Sequence, residues 1–257
     1  MSLPFQTSPH VYDLLYEDKD YVAEAEFINR TLLDAGNPPG QILELGSGTG
    51  QHARLLAEKG YTIEGVDCSA GMVENALKLR NSQKRELQDR LNFHKGNVCD
   101  FQLGRKVDAI VSLFHVVSYQ STNAEVLAMF NNARSHLNEG GLFLFDTWYG
   151  PAVLTEPPAV RVKRVGDDLL DVKRLCEPVL DVNLCRVEVY YTYLVREKPG
   201  NTVNEYQETH VMRYFFRPEL EQFLGASGFR LKTDLEWLTG NPLGTETFGA
   251  CFVAEAV

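Results

Sequence analysis

Hydrophobic residues follow two different spacings along the first 150 residues of the chain. Between residues 19 and 35 they recur every three or four positions, which predicts an amphipathic helix that ends at Gly36. The same helical spacing returns at 51–59, 69–85 and 123–137. Short apolar runs predict five strands, at 41–45, 61–67, 91–95, 107–113 and 142–145. Strands that alternate with helices in this way are typical of a parallel sheet with helices on both faces.

The hydrophobic pattern changes after residue 150. Apolar and polar residues alternate in stretches such as 187–190 and 209–214, which predicts antiparallel strands. Pro218 then stands in the first turn of a further helix. Two closing strands are expected at 229–238 and 247–257. The α/β pattern is therefore interrupted by a β-rich segment and then resumes.

This pattern predicts one domain with an insertion. Residues 1–150 and 215–257 form the α/β domain, and residues 151–214 form an inserted antiparallel β cap over the carboxyl ends of the sheet. A chain of 257 residues is long enough to bury a hydrophobic core of its own. Its hydrophobic content of 44% and charged content of 23% are those of an ordinary globular protein, which argues against a disordered or fibrous chain.

Charge and cysteine content restrict the partners and the location that we expect. The 35 acidic residues outnumber the 25 basic ones, so the phosphates of a nucleic acid would be repelled. No apolar run approaches the roughly 20 residues that cross a bilayer, and no signal-peptide pattern opens the chain. The five cysteines are an odd number without C-x-x-C spacing, so neither disulfides nor a metal site is predicted. We expect a cytoplasmic protein without nucleic-acid or membrane partners, and a homodimer is compatible with the sequence.

The most informative segment is the sequence ILELGSGTG, which begins at Ile42. A strand that leads into glycines and then into a helix brings backbone close to a ligand and points free amides at it. Asp67 follows about 20 residues after Gly46, at the end of the second predicted strand. A carboxylate there can accept hydrogen bonds from both hydroxyls of an adenosine ribose. The two features together predict a cofactor that contains a nucleoside.

The spacing of the glycines indicates which cofactor this is. A dinucleotide fingerprint requires G-x-G-x-x-G, whereas Gly46, Gly48 and Gly50 alternate here and Gln51 takes the final position. Glu44 would place negative charge beside a diphosphate, but it suits a ligand that carries an ammonium group. S-adenosylmethionine has an ammonium group and no phosphate, so the residues favour it. A dinucleotide-dependent oxidoreductase and a non-catalytic cofactor-binding module are the alternatives.

These motifs resemble those of the class I S-adenosylmethionine-dependent methyltransferases. That family has an acidic-x-G-x-G-x-G motif, an acidic residue ending the second strand, and a G-[DN] pair after the third, here Gly96-Asn97. The resemblance implies a Rossmann-like sheet of seven strands, mostly parallel. It also implies that the glycine loop approaches the methionine moiety, that Asp67 binds the ribose, and that Asn97 and Val98 contact adenine.

Further segments are similar to one branch of this family, the TDP-aminosugar N,N-dimethyltransferases and their glycine N-methyltransferase-like relatives. The similar segments are residues 12–16, 19–21, 101–106 and 146–151. In these relatives an N-terminal tyrosine and a histidine after the fourth strand border the acceptor amine. The resemblance implies Tyr16 or Tyr12 for the first, and it places Tyr119 where the histidine would stand.

The favoured function is methyl transfer to the amine of a small molecule, such as an amino sugar or an amino acid-like compound. Methyl transfer is an in-line displacement, so alignment of a neutral amine supplies much of the acceleration and no strong base is required. A hydroxyl acceptor would need a base such as His115 or His210, and O-methylation is the alternative. The candidate catalytic residues are thus Tyr16, Tyr119 and His115.

Overall fold

A computed structural model describes residues 9–36 and 40–257 of the chain. Its α-helices are α1 (Pro9–Leu15), α2 (Tyr21–Ala35), α3 (Gln51–Glu58), α4 (Ala70–Asn81), α5 (Arg85–Gln88), α6 (Asn123–Ser135), α7 (Gly150–Thr155) and α8 (Arg217–Ala226), with one 3₁₀ helix at Val116–Tyr119. Its strands are β1 (Gln41–Leu45), β2 (Thr62–Asp67), β3 (Leu91–Lys95), β4 (Val107–Ser112), β5 (Leu137–Tyr149), β6 (Arg161–Gly166), β7 (Leu170–Asp181), β8 (Arg186–Glu197), β9 (Thr202–Phe215), β10 (Phe229–Glu236) and β11 (Gly249–Ala256). No helix in the described ranges has the length and apolar character needed to span a membrane.

Seven strands form the central sheet, in the order β3–β2–β1–β4–β5–β11–β10. Strands β1 to β5 pair in parallel, and β11 runs antiparallel to both of its neighbours. The mostly parallel, seven-stranded α/β fold predicted from the sequence is therefore confirmed. Because the carboxyl ends of parallel strands meet at one edge, the loops that follow β1, β2, β3 and β4 collect there.

Helices cover both faces of this sheet. Ile42 of β1 packs in the same buried cluster as Ile28 and Leu56, which lie on α2 and α3. The next residue, Leu43, packs in the opposite cluster, which includes Phe130 of α6 and Leu224 of α8. Neighbouring residues of a strand point to opposite faces, so the apolar run in β1 is buried from both sides.

Strands β6 to β9 form a four-stranded antiparallel unit beside the central sheet. The last residues of β9 pair in parallel with the end of β5, with Trp148 opposite Tyr214 and Tyr149 opposite Phe215. This pairing attaches the unit at the carboxyl end of β5. The antiparallel strands expected in the inserted segment are present, between residues 161 and 215. The division into a domain and a cap stays our interpretation of this arrangement.

The clearest differences from the sequence-based predictions are one additional helix and two shifted boundaries. Helix α1 was not predicted as an element, since its seven residues are too few for a clear helical period. Helix α4 ends at Asn81 instead of continuing to residue 85, because side chains of Ser82 and Gln83 donate to the carbonyl of Leu79. Strand β5 begins earlier than residue 142, and its pairing with β4 skips residues 138–141.

Candidate active site

The loop between β1 and α3 requires glycine at two positions. Gly46 and Gly50 have φ angles of +78° and +82°, in the left-handed region that side chains disfavour. A Cβ atom at Gly46 would lie 2.4 Å from a methyl carbon of Val116, and one at Gly50 would lie 2.8 Å from the ring of Phe93. The alternating glycines are therefore needed for both backbone conformation and close packing.

Gly48, between these two residues, faces open space. A Cβ atom built on it would have no neighbour within 4 Å. Its N–H donates to Oδ2 of Asp67 at 2.9 Å, and Ser69 N–H donates to Oδ1 of the same carboxylate at 2.8 Å. Burial raises the pKa of Asp67, and the two backbone donors oppose that rise. The hydrogen bond from Gly48 thus joins the glycine loop to the end of β2, and the space beside Gly48 is open.

Glu44 lies beneath this loop with only 1% of its surface exposed. Its Oε2 atom has no hydrogen-bond partner among the described residues, and Nδ1 of His52 is 3.9 Å from its Oε1. Burial, together with the charge of Asp67, raises the pKa of Glu44 to about 8. An unpartnered carboxyl oxygen in such a position is a site for a cationic donor.

A buried ionic network on the other side of His52 was not foreseen from the sequence. Oε2 of Glu24 lies 2.6 Å from Nε2 of His52 and also pairs with Lys19. Trp237 Nε1 donates to Oε1 of Glu24 at 3.3 Å. Burial alone would raise the pKa of Glu24, but His52 and Lys19 lower it to about 2. The ammonium of Lys19 lies 4.7 Å from the centre of the Phe114 ring, so the network reaches the loop after β4.

Asn97 and Val98 follow β3, next to the end of β2. Gly96 N–H donates to the carbonyl of Asp67 at 3.0 Å, which joins the two loops. Asn97 is exposed, and its Oδ1 accepts from Cys99 N–H at 2.9 Å. The oxygen expected to face adenine therefore already serves a local turn, because Asn readily accepts from the backbone two residues on. The Val98 side chain packs against the core.

The rings of Tyr12 and Tyr16 contact each other near the end of α1, with centres 4.7 Å apart and planes tilted by 53°. The Tyr16 hydroxyl accepts from Nη1 of Arg174 on β7 at 3.0 Å. Burial raises the pKa of Tyr12, and smaller contributions come from both Tyr119 and Asp67. Asp13, next to Tyr12, accepts from Oγ1 of Thr49 in the glycine loop at 3.0 Å, and the Tyr16 ring contacts Phe114 after β4, with ring centres 5.0 Å apart.

Tyr119 lies on the 3₁₀ helix after β4, at the edge where the loops meet. Its hydroxyl is 2.8 Å from Nδ1 of His210, a residue of β9. Burial raises the pKa of this phenol, and Tyr16 adds to the rise. Tyr16 and Tyr119 are connected through Arg174, Tyr191 and His210, and their place at the acceptor stays a prediction.

His115, the third candidate catalytic residue, is held by β5. Phe114 and His115 have φ angles of +64° and +63°, an uncommon conformation for non-glycine residues. His115 N–H donates to both carboxylate oxygens of Asp146, at 3.0 and 3.1 Å. Its ring Nδ1 lies 2.8 Å from Oδ2, without hydrogen-bond geometry. This strained turn had no signal in the sequence.

Comparisons with known proteins agree with this geometry. Residues 42–141 match the family model described as a methyltransferase domain. A dTDP-3-amino-3,4,6-trideoxy-alpha-D-glucopyranose N,N-dimethyltransferase of Streptomyces venezuelae is 31% identical over 240 residues, covering 93% of this chain and 94% of that protein. A dTDP-3-amino-3,6-dideoxy-alpha-D-glucopyranose N,N-dimethyltransferase of Streptomyces fradiae is 27% identical, covering 93% and 88%. The crystal structure of DesVI from Streptomyces venezuelae superposes with a TM-score of 0.78 at 27% identity, covering 96% and 98%.

The fold, the glycine loop and these similarities define a class I S-adenosylmethionine-dependent methyltransferase. Within that class, the chain belongs to the family of the TDP-aminosugar N,N-dimethyltransferases. The protein is therefore an enzyme, and its cofactor is S-adenosylmethionine. The fold class, the family and the cofactor predicted from the sequence are confirmed.

Proposed function

We propose that the enzyme methylates the amino group of a small amino sugar. Its relatives in Streptomyces venezuelae and Streptomyces fradiae are named as N,N-dimethyltransferases of amino sugars. The observation that carries the proposal is the place of α1 and the residue after it, where Asp13 accepts from Oγ1 of Thr49 in the glycine loop at 3.0 Å and the Tyr16 ring contacts Phe114 after β4, with ring centres 5.0 Å apart. A row of phenols next to the cofactor loop can hold an amine by hydrogen bonds and by its cation's attraction to aromatic rings.

The glycine loop fits S-adenosylmethionine in this proposal. Bound there, the cofactor supplies an electrophilic methyl group on a sulfonium. Gly48 leaves open space for the methionine moiety, Gly46 and Gly50 hold the loop in its conformation, and Oε2 of Glu44 accepts from the ammonium group. Asp67 accepts from the ribose hydroxyls with the lone pairs that Gly48 and Ser69 leave free. Asn97 and Val98 border the adenine, with Asn97 offering its amide nitrogen or a second lone pair.

On the acceptor side, Tyr16 and Tyr119 orient the amine. Displacement at a methyl group needs the nucleophile in line at about 3 to 3.5 Å, and such alignment can contribute about 7–11 kcal/mol. Burial keeps Tyr119 neutral, so its phenol acts as a hydrogen-bonding group.

O-methylation is the second candidate function, and His115 favours it. The ring of His115 lies beside the buried carboxylate of Asp146, which places a possible base next to an acidic group. A hydroxyl acceptor would require such a base to remove its proton.

A reducing location such as the cytoplasm is supported by the five free cysteines, and a homodimer stays a prediction.

The proposal is tested with two matched acceptors. The enzyme is incubated with isotopically labelled S-adenosylmethionine and either a TDP-linked amino sugar or the same sugar with hydroxyl in place of the amine. We expect mass spectrometry to show methylation of the amino sugar alone, with the label on nitrogen. Methylation of the hydroxyl compound with no transfer to the amine would contradict the proposal and support O-methylation.

A further inference from the structure

Five rings contact one another in sequence along the edge of the sheet where the acceptor is proposed to bind. The ring centres of Tyr16 and Phe114 are 5.0 Å apart, and those of Phe114 and His115 are 5.9 Å apart. The ring of Trp148 follows at 6.4 Å from His115, and the ring of Phe248 lies 5.1 Å from Trp148. This aromatic row therefore starts at a tyrosine proposed to orient the amine and ends just before β11.

Phe248 is the exposed end of the aromatic row, with 40% of its surface accessible to solvent. Its carbonyl accepts from Tyr149 N–H at 2.9 Å, which fixes the residue beside the end of β5. The preceding residue, Thr247, is buried, and its Oγ1 accepts from Gly244 N–H at 3.0 Å. Single apolar residues on a surface need no explanation, but Phe248 continues a series of ring contacts that starts at the site. Its ring is thus an apolar surface held on fixed backbone.

Trp148 connects this exposed ring to the proposed acceptor site. Its side chain packs against the same buried cluster of the antiparallel unit as the side chain of Tyr119. Its backbone N–H donates to Oγ of Ser118, the residue before Tyr119, at 3.0 Å. An acceptor that is held at Tyr119 and extends along Trp148 therefore meets the ring of Phe248 beyond it.

We propose that Trp148 and Phe248 bind a planar ring that is joined to the amino sugar. This inference rests on the proposed N-methylation of an amino sugar. Planar rings stack on aromatic side chains through their faces, and this contact does not require a charge on either partner. The two Streptomyces relatives are named for dTDP-sugars, whose base is such a ring, and an aryl aglycone would supply the same chemistry. Because the two side chains lie beyond the reacting amine, they determine acceptor affinity.

Three acceptors with the same amino sugar test this proposal: the TDP-sugar, the phenyl glycoside and the methyl glycoside, which has no planar ring. For Phe248→Ala we expect KM to rise about tenfold for an acceptor with a ring, while kcat and the KM of the methyl glycoside stay unchanged. Phe248→Tyr keeps the ring and should keep the wild-type KM. A rise confined to the TDP-sugar identifies the base as the ring, and a rise confined to the phenyl glycoside identifies an aglycone. An equal rise for the methyl glycoside, or no rise for any acceptor, would overturn the proposal.

A binding measurement makes the test independent of turnover. The chain has two tryptophans, so Trp148 is the only one left in Trp237→Phe. We expect TDP or the phenyl glycoside to quench its fluorescence with saturation, and the addition of Phe248→Ala should raise the Kd about tenfold. Saturable quenching by neither probe, or an unchanged Kd in the double variant, would overturn the proposal.

Tyr190→Ala is the matched control, because Tyr190 is 42% exposed but lies on β8 and points to the sheet face opposite Tyr191. It should leave both the KM values and the quenching unchanged. The failure of the proposed function gives a different result from the failure of this inference. Absence of transfer to any amine by the wild type would contradict the proposed function, whereas transfer that does not depend on Phe248 contradicts the ring-binding role alone.

Discussion

The two sides of the candidate active site are formed by different kinds of groups. The cofactor side consists of backbone and short acidic side chains. All of them lie in the first β–loop–α unit and the strand after it, where Gly48 N–H donates to Asp67. The acceptor side consists of large side chains from separate parts of the chain, such as Tyr16 with Arg174 and Tyr119 with His210. One side is fixed by local backbone geometry, and the other depends on how the antiparallel unit packs on the domain.

This difference indicates which parts of the chain determine cofactor binding and which determine acceptor selection. Gly46 and Gly50 of the cofactor loop can be replaced only with an effect on folding, because close packing surrounds both of them. Side chains contributed by α1, β7 and β9 can change without disturbing the central sheet. We therefore expect cofactor binding and acceptor selection to respond to separate substitutions.

The largest effect is expected from Gly46→Ala. Its Cβ would overlap Val116 at 2.4 Å in a left-handed conformation, so we expect the free energy of unfolding to fall by about 3–5 kcal/mol. Gly104→Ala is the matched control, since Gly104 has a φ of +75° and no neighbour within 4 Å of the added atom. Urea denaturation should show a loss of only about 1–2 kcal/mol for the control. Equal losses would show that packing at Gly46 is unimportant.

Asp67→Ala is expected to have the second-largest effect, a loss of cofactor affinity. Removing a charged acceptor from a partly buried site is expected to weaken S-adenosylhomocysteine binding by about 1.5–3 kcal/mol in calorimetric titrations. Asp34→Ala, at an exposed position of α2, is the control and should bind normally. Thermal melting checks that the Asp67 variant is folded. Unchanged affinity in a folded variant would refute the ribose assignment.

Tyr119→Phe tests whether the acceptor side can be altered without a change in cofactor binding. The variant loses one positioning hydrogen bond of about 1.4 kcal/mol, so kcat/KM for the acceptor should fall about tenfold. The affinity for S-adenosylhomocysteine should stay the same. A silent Tyr119→Phe, together with complete loss of turnover in His115→Ala or His210→Ala and a product methylated on oxygen, would support the O-methylation alternative.

The smallest effect concerns Glu44 and pH. Its pKa of about 8 in the folded state lies above the ordinary value, so the folded protein holds a proton that the unfolded chain releases. Its contribution to stability is therefore complete at acidic pH and is lost as the pH rises toward 8. Glu44→Gln does not titrate, and its Tm should exceed that of the wild type by about 2–4 °C at pH 9 but not at pH 5. A difference that does not vary with pH would contradict this account.

The sequence was most informative where structure depends on neighbouring residues. Strand β1, the glycine loop and α3 were predicted within a residue, because apolar runs and alternating glycines are local signals. The contact of Asn97 with adenine stays a prediction, and the structure adds that its oxygen accepts from Cys99 N–H in the same turn. Local competition of this kind is not visible in a motif.

Contacts between distant segments could not be predicted. Helix α1 forms because Val11, Leu14 and Leu15 pack on residues of β7 and β8, which its own seven residues do not indicate. His210 reaches Tyr119 only because β9 pairs with the end of β5. The phenol was predicted as a candidate, but its imidazole partner required the three-dimensional arrangement.

Calorimetric titration of the wild type, Asp67→Ala and Tyr119→Phe with S-adenosylhomocysteine tests the central claim most directly, with NADH as the competing ligand. The account predicts binding of S-adenosylhomocysteine without binding of NADH, weakened in Asp67→Ala and unchanged in Tyr119→Phe. Binding of NADH alone, or equal weakening in both variants, would contradict a methyltransferase whose cofactor and acceptor sides are separate.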